Sequence, residues 1–279
     1  MSSRSMSLKA KIKNYAKHNN IAAQVVLQNY MFERLLERLS LSDYQQQFVV
    51  KGGLLIAAIV GLDTRSTMDL DLTLRKLSLS EQAIMEAINS ICNIELNDGV
   101  RFDIISISPI RKDDQYGGFC VRLNAIYEKI STPLSIDIST GYIITPDAVE
   151  YEFRGIFDNM VNIKLWGYNI ETVMAEKLET ILSRGVFNTR PRDYYDIYIL
   201  ETTQEYDKRL LNEAVLATTE YRSSRNRLRN IEVIISQITN NLELRLAWEK
   251  YQKAFAYAKE ISYDSTITAI RRLLESISL

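Results

Sequence analysis

Residues 48–72 read FVVKGGLLIAAIVGLDTRSTMDLDL, an apolar stretch broken by Gly52-Gly53 and closed by Asp69 and Asp71. FVVK has the β-branched and aromatic content of a short strand, the glycine pair interrupts it, and LLIAAIVG predicts a buried helix ending near Gly61. From Met68 to Leu74 apolar and polar residues alternate, which predicts a strand with Asp69, Asp71 and Thr73 on one face. Asp is depleted in strands, so its repetition calls for a reason. Two carboxylates side by side repel unless a cation lies between them or one takes up a proton. A divalent metal is the expected partner.

Working outward from this stretch, residues from Leu8 to Leu39 place apolar side chains at helical spacing and predict helices. A further helix is expected over LSLSEQAIMEAINSIC. Three strands are expected over VRFDIISIS, FCVRLNAIY and PLSIDIS, separated by turns at Tyr116-Gly117-Gly118 and Ser131-Thr132-Pro133. VEYEFRGI and VNIKLWGY predict two shorter strands around Asp158-Asn159. From about Ile170 onward the strand pattern gives way to helices. The expected fold is α/β in the α+β sense: a mixed, largely antiparallel sheet flanked by helices over residues 1–168, then a helical domain over 169–279 that completes a cleft.

The 279 residues are 46% apolar with a formal charge of −1, an ordinary globular balance that gives no global argument for nucleic acid. The first twenty residues are locally basic, with Arg4, Lys9, Lys11, Lys13 and Lys17 and no acid. Arg222, Arg225, Arg227 and Arg229 form a second cluster, of a kind that solvated helix faces often produce. Cys92 and Cys120 show no CxxC pairing, which fits a reducing compartment. No signal peptide is evident and LLIAAIVGL is too short to span a bilayer, so a cytoplasmic protein without membrane association is expected. His18 is the only histidine, which excludes Ser-His-Asp and Cys-His nucleophile schemes and histidine metal sites.

The remaining chemistry rests on carboxylates and cations. Gly52-Gly53 lies where a strand passes into a helix and allows a phosphate close to free backbone N–H groups, although a glycine pair also serves as a plain tight turn. SIDIS places Ser135, Asp137 and Ser139 on one strand face. If that strand neighbours the first, Asp137 completes a three-carboxylate site with Asp69 and Asp71; Asp103 in RFDII competes for that place. In ETVMAEKLETILSR, Val173, Met174, Leu178, Ile181 and Leu182 form one helical face, with Glu176, Glu179, Thr180 and Ser183 opposite. Lys177 falls inside the apolar face with Arg184 close by, so it either pairs with a buried carboxylate or reaches phosphate. In RPRDYYDIYIL, Pro191 and Asp193 suit a helix start. Asp196 lies between the angles of Ile199 and Leu200, where a carboxylate needs a buried cation such as Lys177 or Arg184. Tyr194 and Tyr195 read as core.

KGG, RSTMDLDL, SIDIS, AEKLETILSRG and TRPRDYYDIY, in this order and spacing, resemble the nucleotidyltransferase-like toxins of the AbiE abortive-infection system, the AbiEii/AbiGii family of the DNA polymerase β-like superfamily. The resemblance runs from about Leu8 to about Leu200. It implies that Gly52 and Gly53 hold a nucleoside triphosphate, that Asp69, Asp71 and Asp137 hold Mg²⁺, or Mn²⁺ in its place, and that Lys177 contacts the nucleotide; Arg65 and Arg184 are the further cations expected at the phosphates. It also implies that Asp193 or Asp196 is needed for activity, with Asp193 ranked first, and that Thr67 stands where modification blocks the site. Gly53 departs from the Gly-Ser of the superfamily, which removes a hydroxyl contact to phosphate.

The activity so implied is transfer of NMP from an NTP, with release of pyrophosphate, to an acceptor, foremost a tRNA 3′ end, arresting growth during phage infection. A cognate antitoxin from an adjacent gene is implied too, without a need for direct binding. Transfer to a protein or small molecule, or non-catalytic binding of nucleotide or RNA, are the alternatives.

Overall fold

The computed structural model describes residues 3–76, 78–110, 117–140, 143–158, 162–228 and 230–277. The expected turn residue Tyr116, Asn159 of the Asp158-Asn159 turn and Arg229 of the arginine cluster lie outside them. The chain forms two compact units, Met1–Gly141 with Val149–Gly167, and Tyr142–Ala148 with Tyr168–Leu279.

In the first unit two helices, α1 (Ser3–His18) and α2 (Ala23–Ser40), precede β1 (Phe48–Lys51), α3 (Gly52–Val60), β2 (Leu70–Leu74) and α4 (Glu81–Cys92). Strands β3 (Val100–Pro109), β4 (Gly118–Tyr127), β5 (Ile130–Ser139), β6 (Val149–Arg154) and β7 (Asn162–Gly167) follow. They form one sheet in the order β3-β4-β5-β2-β1-β7-β6. Neighbours are antiparallel except β2 with β5 and β1 with β7, which run parallel. The sheet is therefore mixed and largely antiparallel, as the alternating segments predict.

The apolar alternates of each strand supply the core: Leu134, Ile136 and Ile138 of β5 are buried while Ser135, Asp137 and Ser139 on the other face are half-buried. α4 starts later than its apolar pattern suggests, because Ser80 caps it by accepting a hydrogen bond from the Ala83 N–H at 3.2 Å.

β2 also begins later than the alternation predicts, at Leu70 rather than Met68. The physical reason lies in α2. Asn29 Nδ2 donates to the Thr67 carbonyl at 2.7 Å and Gln28 Nε2 to the Met68 carbonyl at 3.0 Å, so these carbonyls are bound by side chains rather than by a neighbouring strand. Asp69 consequently lies one residue before the strand, and it is exposed.

The second unit is helical: α5 (Ile170–Arg184), α6 (Pro191–Thr203), α7 (Lys208–Tyr221), α8 (Ile231–Asn240), α9 (Leu242–Ala254) and α10 (Tyr263–Leu274). Asn169 caps α5 through its side-chain oxygen on the Thr172 N–H at 2.8 Å. Its amide donates to the Thr145 and Asp147 carbonyls, which explains why residues 142–148 group with the helices. The polar face of α5 is not a solvent face. Glu179 is buried, and Arg222 at the end of α7 pairs with Glu179 and Glu176 and donates to Thr180 Oγ1 at 2.9 Å. Tyr194 and Tyr195 are core residues, ringed by Tyr251, Tyr257 and Tyr263. No helix among the described residues is long and apolar enough to cross a membrane.

Candidate active site

Asp71 of β2 lies in direct register with Asp137 of β5, and Lys51 of β1 in register with Asp71. Cys120 of β4 follows on the other side of Asp137. One row across four strands therefore reads Lys51, Asp71, Asp137, Cys120, and both carboxylates are half-buried. Asp103 is placed otherwise: it sits on the edge strand β3 opposite Asn124, which in turn faces Pro133, four residues before Asp137 along β5. It pairs at 3.7 Å with Arg101 in solvent. Of the two competitors for the third carboxylate, only Asp137 is level with Asp71.

Gly52 has φ +65°, and a Cβ there would stand 2.0 Å from Asp71 Oδ2. The residue must be glycine on both counts, left-handed backbone and lack of space. The strand-to-helix turn thus lies against the Asp71 carboxylate. A Cβ on Gly53 would meet Thr67 Oγ1 at 2.7 Å and the Arg65 guanidinium at 3.2 Å. The place a serine side chain would take is therefore occupied by the Thr67 hydroxyl, which also lies 3.4 Å from the Asp69 N–H. Arg65 is buried and donates to the Ser66 carbonyl.

Asp69 is not gathered with Asp71 and Asp137 into a ready set of ligands: no three His, Cys, Asp or Glu side chains among the described residues form one. Mg²⁺ is usually held by one or two carboxylates with substrate phosphates and water rather than by an all-protein cage. The Asp71–Asp137 pair, hard oxygen donors beside a helix start, fits that mode.

In the helical unit Lys177 Nζ lies 2.8 Å from Asp193 Oδ1 and 2.7 Å from Asp196 Oδ2. Both acids are fully buried, and Arg190 Nε approaches Asp193 Oδ2 at 3.4 Å. Two cations balance two carboxylates, which a buried cluster needs. Burial alone would lower the Lys177 pKa; the charges of Asp196 and Asp193 reverse this and raise it above its ordinary value. Arg184 does not share that buried setting: as the last residue of α5 it is exposed. Asp193 is at once a first-turn residue of α6 and a partner of Lys177.

Sequence reasoning missed Gln28 and Asn29, which fix the 67–69 loop, and the Arg222–Glu179 pair. The signal for the first two was available: Gln28-Asn29 interrupts the apolar spacing of α2 between Val26 and Met31, and both are buried.

The fold has solved counterparts. The crystal structure of JHP933 from Helicobacter pylori aligns with a TM-score of 0.51 at 16% identity, over 91% of each chain. A second H. pylori protein, described as a nucleotidyltransferase, aligns with a TM-score of 0.50 at 15% identity over 91% of this chain and 98% of its own. At these identities the likeness concerns the fold. No curated protein matches the sequence. The family model for the nucleotidyl transferase AbiEii toxin of type IV toxin–antitoxin systems matches residues 34–274. The family pattern thus begins later than the Leu8 expected from the motifs and extends well past Leu200, through the C-terminal helices. The chain belongs to the AbiEii nucleotidyl transferase toxin family and is a nucleotidyltransferase of that toxin type.

Proposed function

We propose that the protein transfers NMP from a nucleoside triphosphate to a tRNA 3′ end and so arrests growth, as an abortive-infection response to phage. The observation that supports the transfer chemistry is the register of Asp71 with Asp137 beside the Gly52 turn; the tRNA acceptor and the response to phage rest on the family resemblance. The triphosphate would rest at the start of α3, where backbone N–H groups and the helix dipole favour phosphate and the Arg65 guanidinium stands beside Gly53. Thr67 Oγ1 supplies the hydroxyl that the superfamily takes from a serine at position 53.

Mg²⁺ held by Asp71 and Asp137, with Asp69 at the exposed edge, would offset the charge of the phosphates and of the attacking oxygen. The acceptor hydroxyl oxygen bonds to the α-phosphorus, the bond from that phosphorus to the β-phosphate oxygen breaks, and pyrophosphate leaves with the electron pair. The hydroxyl proton passes to the carboxylate pair. Asp193 and Asp196 are positioning residues: they hold the Lys177 ammonium charged and fixed, and the family resemblance makes Lys177 a nucleotide contact. Membership of a type IV toxin–antitoxin family implies an antitoxin partner; we place its gene next to this one, and direct binding is not required of it.

The test is incubation of the protein with each α-³²P-labelled NTP, Mg²⁺ and total tRNA, followed by a denaturing gel. Label on tRNA with the wild type and none with Asp71→Asn supports the reading. Label that follows protein or a small molecule instead removes the tRNA acceptor.

A further inference from the structure

We infer that α1 and the recess beside it form an RNA-docking surface, gripping the backbone with its cations and stacking a base on its aromatic rings. The inference deepens the RNA-acceptor reading and rests on it. The charge is concentrated: residues 1–32 hold Arg4, Lys9, Lys11, Lys13 and Lys17 and no acid, so with a total of −1 the remainder carries −1 − 5 = −6. All five side chains are exposed. Leu8, Ile12 and Ala16 are buried, so α1 keeps its apolar stripe inward and presents cations along both flanks of its outer face. Lys9, Lys13 and Lys17 follow one another at four-residue intervals, about 6 Å apart along the axis. A 16-residue helix is about 24 Å long, the reach of several nucleotides rather than of a free nucleotide.

On the other flank Arg4 and Lys11 face a recess of about 420 Å³ whose walls include Tyr30, Tyr127 and Phe157. Phe157 is tilted against Tyr30 at 5.5 Å between ring centres and meets Tyr15 edge-on at 6.0 Å. The Ser5 N–H donates to Glu128 at 3.2 Å, tying α1 to the turn after Tyr127. The acids here have partners or lie at the rim: Glu33 pairs with Arg34 and accepts from the Ile156 N–H at 2.6 Å, and Asp158 is exposed. Cations that track a backbone, next to aromatic rings in a hollow the size of a nucleotide, suit single-stranded RNA. An anionic membrane is a poorer fit, since a helix that enters a lipid interface needs an outward apolar face. The family match begins at residue 34, so α1 lies outside it.

The experiment measures binding of a fluorescein-labelled 12-nucleotide single-stranded RNA to the full chain by anisotropy, at several salt concentrations, for the wild type, Arg4→Glu/Lys11→Glu and Tyr127→Ala. The charge-reversed variant should bind at least about tenfold more weakly, with the slope of log K against log salt shallower by about 1.4, two phosphates at about 0.7 each. Tyr127→Ala should bind several-fold more weakly with the slope kept, and both should melt as the wild type does. Wild-type affinity and slope in both variants would overturn the inference, as would a wild type that binds no RNA. So would Arg4→Glu/Lys11→Glu losing only binding to phosphatidylserine vesicles. A wild type that binds the oligomer through these residues yet transfers no NMP to RNA upholds the inference and sinks the RNA-acceptor reading. Transfer to RNA with binding unaltered by the variants does the reverse.

Discussion

Asp71 Oδ2 fills the space in which residue 52 would carry its Cβ, 2.0 Å from that position, and Gly52 has φ +65°. Gly52→Ala must displace the Asp71 carboxylate or the turn. It is expected to lower stability by about 1–3 kcal/mol through left-handed strain and overpacking, and to abolish transfer. Thermal melting alongside labelled-NTP transfer checks both effects, and wild-type transfer by Gly52→Ala would show that Asp71 need not lie where it does.

Gly53→Ser places a side chain against Thr67 Oγ1, 2.7 Å from the new Cβ. Transfer should fall in Gly53→Ser and in Thr67→Ala and recover in the double variant, where the serine hydroxyl replaces the threonine's. Additive losses in a cycle of the three variants would refute the exchange of hydroxyls.

Lys177→Met leaves Asp193 and Asp196 buried beside each other without their shared cation, and is expected to cost about 3–5 kcal/mol. Denaturant unfolding at neutral pH gives the number. The pH dependence has a definite sign. Because the Lys177 pKa is raised in the fold, its contribution is fully present below the ordinary lysine value of about 10.4 and is lost as pH rises through the higher folded value. The part of the wild-type stability contributed by the Lys177 charge should therefore be flat across neutral pH and be lost only in strong alkali, while in Lys177→Met a buried carboxylate takes up a proton as pH falls and narrows the gap on the acid side. A gap that closes as pH rises from about 7 to about 9 would contradict this.

Arg222→Ala removes the cation from Glu179, which is 3% exposed. A loss of about 2–3 kcal/mol is expected, since a buried charged acceptor is left unpaired. Arg222→Ala with Glu179→Gln should regain part of it, measured by the same unfolding curves.

The alternating segments made the strands legible, and the period-2 face of SIDIS put Asp137 on its polar side before any pairing was known. The placement of β5 beside β2 was not legible, because it joins residues more than sixty apart in parallel and no local pattern encodes a partner across that distance. The same holds for Arg222 with Glu176 and Glu179. Both acids read as a solvated face until α7 is seen to cover them. The start of β2 was not legible for a different reason: alternation continues through Met68, but two amides from α2 take the carbonyls of Thr67 and Met68 and hold the chain in a loop. That Asp196 needs a buried cation was readable from helical angles, which left Lys177 and Arg184 as alternatives; the 2.7 Å contact decides for Lys177.

The most direct measurement of the central claim is the rate of NMP transfer by Asp71→Asn, Asp137→Asn and the double variant, each folded by circular dichroism and melting. Carboxylates that act as one unit lose most of the rate singly, and the double variant is scarcely worse than either. That near-complete loss at each position, without additivity, is the predicted result. Transfer at the wild-type rate by Asp137→Asn would show that register with Asp71 does not make it part of the site.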